Sequence, residues 1–272
     1  MTTAQATSTT GKTSVGTTVI KIGGRVQDDV RLAPALVAAQ RASGGGLVVV
    51  HGGGDGISSL QRKLGFEPRF VGGRRATTDE ELTIVRMVLS GSANKLMVAA
   101  LQSAGARAVG VSGEDGGLLV ARVAPGAPLG RVGDEVRADA TLLRDLLAAG
   151  WLPVVSPLAR DADDAHGAGL NVNGDDAAAA IAVALGAAEL VFVADVPGVL
   201  VDGAAVPSLS HDDARELIAA GTAAGGMAAK LEAGYNALGR GVARVRIGDL
   251  AALTNPSGGT TLLSPTTVPW QR

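Results

Sequence analysis

Cysteine is absent from the 272 residues, which excludes disulfides and thiolate metal sites and makes a reducing compartment, the cytoplasm, the expected location. The three histidines, His51, His166 and His211, lie far apart with no metal-ligand spacing, which argues against a catalytic zinc. Charge is nearly balanced, 24 basic against 26 acidic residues, and aromatics make up only 2%. No basic strip interleaved with aromatic side chains can be drawn, so nucleic acid is not an expected partner. No unbroken apolar run reaches the roughly 18 to 20 residues of a membrane span, and the first 17 residues, mostly Thr, Ser, Ala and Gly, contain no apolar core. Neither a signal peptide nor a membrane anchor is expected, and residues 1–17 read as a disordered leader. Its Gly11-Lys12-Thr13 looks like the end of a phosphate-binding loop, but Ala6 stands where that motif needs glycine, and the segment precedes a strand instead of following one.

What the chain does have is apolar content, 46%, and glycine, 39 residues. The apolar share suffices for one large domain or two lobes on a shared sheet. Short apolar runs at 18–22, 47–50, 107–111, 152–156, 190–194 and 243–247 read as strands buried on both faces. Helical patterns lie between and after them, at 28–43, 55–64, 78–104, 139–149, 175–186, 211–220 and 227–240. Thr78 and Glu81 fit a capping box that opens the third of these. Alternation at this spacing predicts an α/β fold: right-handed βαβ units, a mainly parallel sheet and helices on both faces. The stretches 66–75 and 118–136, broken by glycine and proline, read as hairpins at the sheet edge. The Asp/Gly/Ala-rich segment 160–169 reads as the boundary between two lobes.

Ligands of such sheets sit beyond the carboxyl ends of the strands. Those ends carry Gly23-Gly24, Gly52-Gly53-Gly54, Ser112-Gly113-Glu114-Asp115 and Asp195-Val196-Pro197-Gly198, and the first two lead directly into helical segments. Bare glycine backbone before a helix offers N–H donors and the positive end of the dipole to phosphate or carboxylate oxygens; taken singly, each loop also fits a tight turn. Of the basic residues only five are lysine: Lys12, Lys21, Lys63, Lys95 and Lys230. Lys21 sits inside an apolar strand just before the first glycine pair, where an unpaired charge is costly, so it needs an anion. Lys230 follows Gly225-Gly226-Met227, another glycine turn entering a helix, and fits either a phosphate contact or a solvated position. Two lysines converging on a transferring phosphoryl group would stabilise its spread charge. In the run from Asn171 to Asp176, Asn173 fits a helix N-cap, and a buried aspartate there would fix two nearby lysines in position.

The stretches KIGG (21–24), VHGGG (50–54), GRRATTDEEL (73–82), GSANK (91–95), GEDGG (113–117), GRVG (130–133), LNVNGD (170–175), VADVPGVL (193–200) and GGMAAK (225–230), in this order, resemble the amino acid kinase family. The resemblance runs from about residue 18 to the C-terminus. It implies a three-layer αβα sandwich, with an N-lobe, residues 18–165, that binds an acyl amino acid and forms a homodimer, and a C-lobe, residues 166–272, that binds the nucleotide. Within the family the motifs are most similar to members that phosphorylate the side-chain carboxylate of N-acetyl-L-glutamate with MgATP, giving an acyl phosphate for arginine biosynthesis.

Position by position, the resemblance implies that Lys21 and Lys230 flank the transferring phosphoryl group and that Asp175 orients both. The amides of Gly53 and Gly54 would donate to the reacting carboxylate, and Arg75 would pair with the α-carboxylate, assisted by Asn171. Gly23, Gly24, Asp195, Gly198 and Gly226 would serve the nucleotide. Mg2+ would be held mainly by phosphate oxygens and water, with no dedicated protein ligands. The N-terminal leader lacks the amphipathic helix of arginine-inhibited hexameric members, which implies a homodimer insensitive to L-arginine. The family's GLRVT stands here as GRRAT, so Arg74 adds a charge beside the substrate arginine and Ala76 shrinks a side chain. The acyl group therefore stays open, with N-succinylglutamate, another N-acylglutamate or a carrier-bound aminoadipate of lysine biosynthesis as alternatives. A non-catalytic amino-acid sensor on the same fold is expected to lose one of Lys21, Asp175 or Lys230, and all three are present. A dinucleotide-binding fingerprint would need a third glycine where Ile57 stands.

Overall fold

The computed structural model describes residues 16–126, 128–164 and 166–264. The leader up to residue 15, with Lys12, lies outside the described residues, as does the segment 265–272. From β1 (Thr18–Ile22) the chain passes through a 3-10 turn, Gly24–Asp28, into α1 (Leu32–Ala42), and β2 (Leu47–His51) feeds α2 (Gly54–Lys63). The hairpin β3 (Phe70–Val71) and β4 (Arg74–Arg75) precedes a helical rod made of α3 (Asp79–Arg86), a π-helical segment Met87–Ala93, and α4 (Asn94–Ser103). Next come β5 (Ala108–Ser112), β6 (Leu119–Val123), β7 (Val132–Ala138), α5 (Thr141–Ala148), β8 (Leu152–Ser156), β9 (Leu158–Asp161) and β10 (Gly169–Val172). The remainder is α6 (Gly174–Leu185), β11 (Glu189–Val193), β12 (Leu200–Val201), β13 (Ala204–Ala205), β14 (Ser208–Leu209), α7 (His211–Ala219), α8 (Gly226–Gly239), β15 (Arg244–Gly248) and β16 (Thr260–Leu262).

Eight strands form one sheet in the order β14-β16-β15-β11-β1-β2-β8-β5, parallel throughout except for the β15–β16 pair. The period of two along β1 separates two cores: Val19 packs with Val50, Phe192, Ile181 and Leu231 on one face, and Ile20 and Ile22 with Leu36, Val49, Leu101 and Val154 on the other. Helices therefore cover both faces, and Lys21 shares the Val19 face, beneath α6 and α8. Helix α6 is alanine-rich, with Ala177 to Ala182 buried. Alanine favours helix and its small side chains let α6 lie close to the sheet and to α8. Its N-terminus is thereby brought against the end of β1.

Several expectations need correction. The hairpin at 118–136 is not an edge addition: β6 and β7 close with β9 and β10 into a separate four-stranded barrel, and β3–β4 forms its own two-stranded sheet. The segment 160–169 connects β9 to β10, which pair antiparallel inside that barrel. The helix expected over 78–104 contains the π segment, although its capping box forms: Glu81 N–H donates to Thr78 Oγ1 at 3.2 Å and Thr78 N–H to Glu81 Oε2 at 2.8 Å. By length and composition alone the 25-residue rod Asp79–Ser103 is apolar enough to cross a membrane. Its buried apolar residues pack on α1, α2 and the sheet edge at β5, while Met87 and Leu96 stay exposed.

Candidate active site

At the carboxyl end of β1, Lys21 Nζ lies 2.9 Å from Asp175 Oδ1, and Lys230 Nζ from α8 lies 3.4 Å from Asp175 Oδ2. All three are buried: Lys21 and Lys230 are each 8% exposed and Asp175 is 3% exposed. One carboxylate, from α6, thus bridges two ammonium groups, one from the central strand β1 and one from α8. Local sequence explains the placement. Asn173 caps α6 by accepting from Asp175 N–H at 2.8 Å, and a Cβ on Gly174 would sit 3.1 Å from Lys21 Cε, so this position leaves little room for a side chain. Burial pulls Lys230 below its ordinary pKa, Asp175 opposes that shift, and Lys21 adds to it. Two positive charges share one negative one, leaving a net positive, dehydrated spot suited to an anion. Next in sequence, burial pushes the Asp176 carboxyl up to about 6, countered by Arg74 and reinforced by Asp175.

The glycine loops flank this spot. Gly23 does not fit the anion-donor role the resemblance implies, because its N–H continues the strand pairing by donating to Val193 O at 2.9 Å. Gly24, first residue of the 3-10 turn, is the donor left in that loop. In the second loop Gly53 caps α2 in extended φ, and a Cβ there would meet Leu89 Cδ2 at 2.7 Å. The π segment presses on this glycine, so its missing side chain has a packing reason. The first amides of α2 have no carbonyl within the helix to receive them.

Arg75, 8% exposed, is held by Gly54 O at 2.9 Å, by Ser58 Oγ at 2.8 Å and by Gln61 Oε1, and lies over the Phe70 ring at 4.7 Å. Gln61 in turn donates to Glu81 at 2.9 Å. Burial lowers the Arg75 pKa, with Glu81 the largest opposing influence. Asn171 is joined to the same corner, donating to Thr77 Oγ1 at 3.2 Å, while Thr77 donates to Arg75 O at 2.9 Å. Arg74, one residue earlier on a strand, points the other way and meets Asp134 of β7 at 3.2 Å. Gln61, Glu81 and Thr77 were not singled out for the site from sequence; a polar residue on the inner face of α2 was the available signal for Gln61.

The residues that the resemblance assigns to the nucleotide are unevenly arranged. Gly226 opens α8 after Gly225 in the left-handed region, φ 53, and its carbonyl accepts from Lys230 at 3.2 Å. Both glycines line an open cavity of about 1310 Å³ shared with Asp175, Asp176, Arg74 and His211. Asp195 is exposed and paired with Arg25 at 2.9 Å, beside the Gly23-Gly24 loop. At Gly198 a Cβ would meet Thr260 Oγ1 at 2.6 Å, so no side chain fits there.

The sequence model described as the amino acid kinase family matches residues 16–249. The acetylglutamate kinase of Chloroflexus aurantiacus is 47% identical over 246 residues, 89% of this chain and 94% of that one. A solved structure from Streptococcus mutans UA159 superposes with TM-score 0.82 at 27% identity, covering 91% of this chain and 98% of that one. The N-acetylglutamate synthase of Neisseria gonorrhoeae, solved with coenzyme A and N-acetyl-glutamate, gives TM-score 0.77 at 27% identity over 93% of this chain and 60% of its own.

Proposed function

Because the chain belongs to the amino acid kinase family, we propose that it transfers the terminal phosphoryl group of ATP to the side-chain carboxylate of N-acetyl-L-glutamate, as a kinase of arginine biosynthesis. The observation that carries this reading is Asp175 bridging Lys21 and Lys230 at the sheet's carboxyl edge. Phosphoryl transfer to a carboxylate needs no general base, since the nucleophile is already ionised near neutral pH; the protein must hold two anions in line and neutralise charge that spreads over the transferring group. The two lysines supply that charge. Asp175 holds them apart and fixed, so little reorganisation is needed as the transition state forms.

In this reading the acyl amino acid lies toward Gly53, Gly54, Arg75 and Asn171, and ATP toward Gly24, Asp195 and Gly226 beside the large cavity. Gly198 stays on the nucleotide side in this reading, whereas the Gly23 N–H is already donated to Val193 O. Magnesium enters with the nucleotide, held mainly by its phosphate oxygens and water. The protein acts in the cytoplasm. It works as a homodimer whose apolar contact uses the exposed face of the α3–α4 rod, where Met87 is 57% and Leu96 71% exposed. Light scattering at micromolar protein should return a dimer mass, and Leu96→Asp a monomer; a monomeric wild type would refute this part.

The deciding experiment is a hydroxamate assay for acyl phosphate with MgATP across N-acetylglutamate, N-succinylglutamate, glutamate and aspartate. Turnover should be strongest with N-acetylglutamate. No acyl phosphate from any acceptor would overturn the proposal, and preference for the succinyl compound would reassign the acyl pocket beside Ala76.

A further inference from the structure

The most completely satisfied polar network outside the lysine pair runs beneath the second glycine loop. His51, the last residue of β2, is fully buried, as is Asn94, the first residue of α4. His51 Nδ1 lies 2.8 Å from Gly52 O, and its Nε2 lies 3.1 Å from Asn94 Nδ2. A carbonyl oxygen can only accept, so Nδ1 carries the proton and Nε2 must accept. Asn94 agrees with that assignment atom by atom. Its Nδ2 has two hydrogens, one for His51 and one for Val154 O at 2.9 Å, while its Oδ1 accepts from Lys95 Nζ at 3.0 Å. Turning the amide over would set oxygen against oxygen at Val154. Lys95 in turn also donates to Gly110 O at 3.3 Å. Burial, with Lys95 and Lys21 nearby, pulls His51 below its ordinary pKa, consistent with a neutral ring.

The consequence lies in the peptide that follows. The Gly52 carbonyl and the Gly53 N–H belong to one planar trans unit and point in opposite directions; no cis peptide occurs among the described residues. Holding the carbonyl toward the imidazole aims the Gly53 N–H away from it. A peptide between two glycines has no Cβ to resist turning over, so its direction has to be imposed from outside. The other side of the loop is closed by Leu89 of the π segment, which a Cβ at Gly53 would approach to 2.7 Å.

We infer that His51 is a positioning residue: its Nδ1–H, kept in that tautomer by Asn94, fixes the Gly52–Gly53 peptide so that the Gly53 amide stays directed at the reacting carboxylate. This rests on the proposed reaction for the identity of the acceptor, and on the hydrogen-bond geometry alone for the clamp.

Two measurements test it on the full chain. Nitrogen-15 histidine labelling with long-range proton correlation reads the tautomer directly, and with three histidines His51 is assignable from the signal that disappears in His51→Asn. A neutral Nδ1–H ring between about pH 6 and 8 is expected; an Nε2–H ring or an imidazolium overturns the clamp. Kinetics then ask whether the clamp matters. An asparagine amide nitrogen falls near the position of Nδ1 and a glutamine nitrogen near that of Nε2, so His51→Asn should keep kcat within about 5-fold while His51→Gln loses about 50-fold or more, both with the KM for ATP little changed. Simple space-filling predicts the reverse order, because glutamine is the larger side chain, and that order would overturn the inference. Wild-type protein that makes no acyl phosphate would refute the reaction, while the tautomer measurement would still decide the clamp.

Discussion

Asp175→Asn is the sharpest test of the two-lysine site, because it removes one charge with almost no change in shape. At an effective dielectric of about 20, contacts of 2.9 and 3.4 Å correspond to about 6 and about 5 kcal/mol of gross attraction. Deleting one partner of a buried pair typically costs about 3–5 kcal/mol after compensation. The alternative is for one lysine to lose its proton, which for an ordinary lysine near pH 7.5 costs about 4 kcal/mol. Burial has already brought Lys230 below its ordinary value, and without Asp175 it falls further, so proton loss is the easier relief. The variant should therefore fold and retain nucleotide binding, but lack one positive charge when the phosphoryl group moves. A missing transition-state contact of this kind is worth about 10²–10³ in kcat. The sign of the pH dependence follows: the proton returns as pH falls, so the deficit should be largest near pH 9 and shrink toward pH 6. Acyl phosphate formation, followed as hydroxamate across that range with circular dichroism as a folding control, reads both effects. A folded variant with kcat within about 3-fold of wild type and an unaltered pH profile would refute the role given to Asp175.

Lys21→Ala and Lys230→Ala should each lower kcat by about two orders of magnitude or more while the fold survives; near-normal turnover in either would remove that lysine from the mechanism. Arg75→Ala should raise KM for the acyl amino acid far more than KM for ATP, since its partner is a non-reacting carboxylate bound alike in ground and transition states, and an effect mainly on ATP would move Arg75 to the nucleotide side. Asp176→Asn should stabilise the fold near pH 7.5. The folded carboxyl titrates at about 6 against an ordinary 3.8, so the native state binds more protons over that window and stability falls as pH rises through it. Two units correspond to at most about 3 kcal/mol, and the group's partial exposure brings the expected gain to roughly 1–2 kcal/mol. Thermal melts should show the gain above about pH 6 and none near pH 4; an equal shift at both would refute the assignment.

The parts of this molecule legible in the sequence are those whose signal is local. Short apolar runs gave six of the eight strands of the main sheet and helical patterning gave its helices, the Thr78/Glu81 spacing gave a capping box that forms, and a lysine inside an apolar strand announced Lys21 as a paired charge. Glycine before a helix was a weaker guide, because the same residue serves three purposes. Gly53 makes room for Leu89, Gly198 makes room for Thr260, and Gly23 extends the β1–β11 ladder with the amide assigned to an anion. Whether a glycine amide is free depends on the neighbouring strand, which comes from a distant part of the chain.

Barrel closure failed to show for the same reason. The hairpin of β6 and β7 is local, but β10 joins β7 in parallel from far along the sequence, and short strands carry no mark of such a partner. Support for the site is likewise long-range. Gln61 reaches Glu81 across 20 positions, and His51 reaches Asn94 across 43. Each is a polar side chain on a buried face, which alone says only that a partner exists. Glu81 shows how a correct local reading conceals a second role: one carboxylate oxygen closes the capping box on Thr78 while the other holds Gln61, and through it Arg75. The groups that would touch substrate lie in short motifs at strand ends, whereas the groups that aim them are scattered, so a sequence reading reaches the first set and the structure is needed for the second.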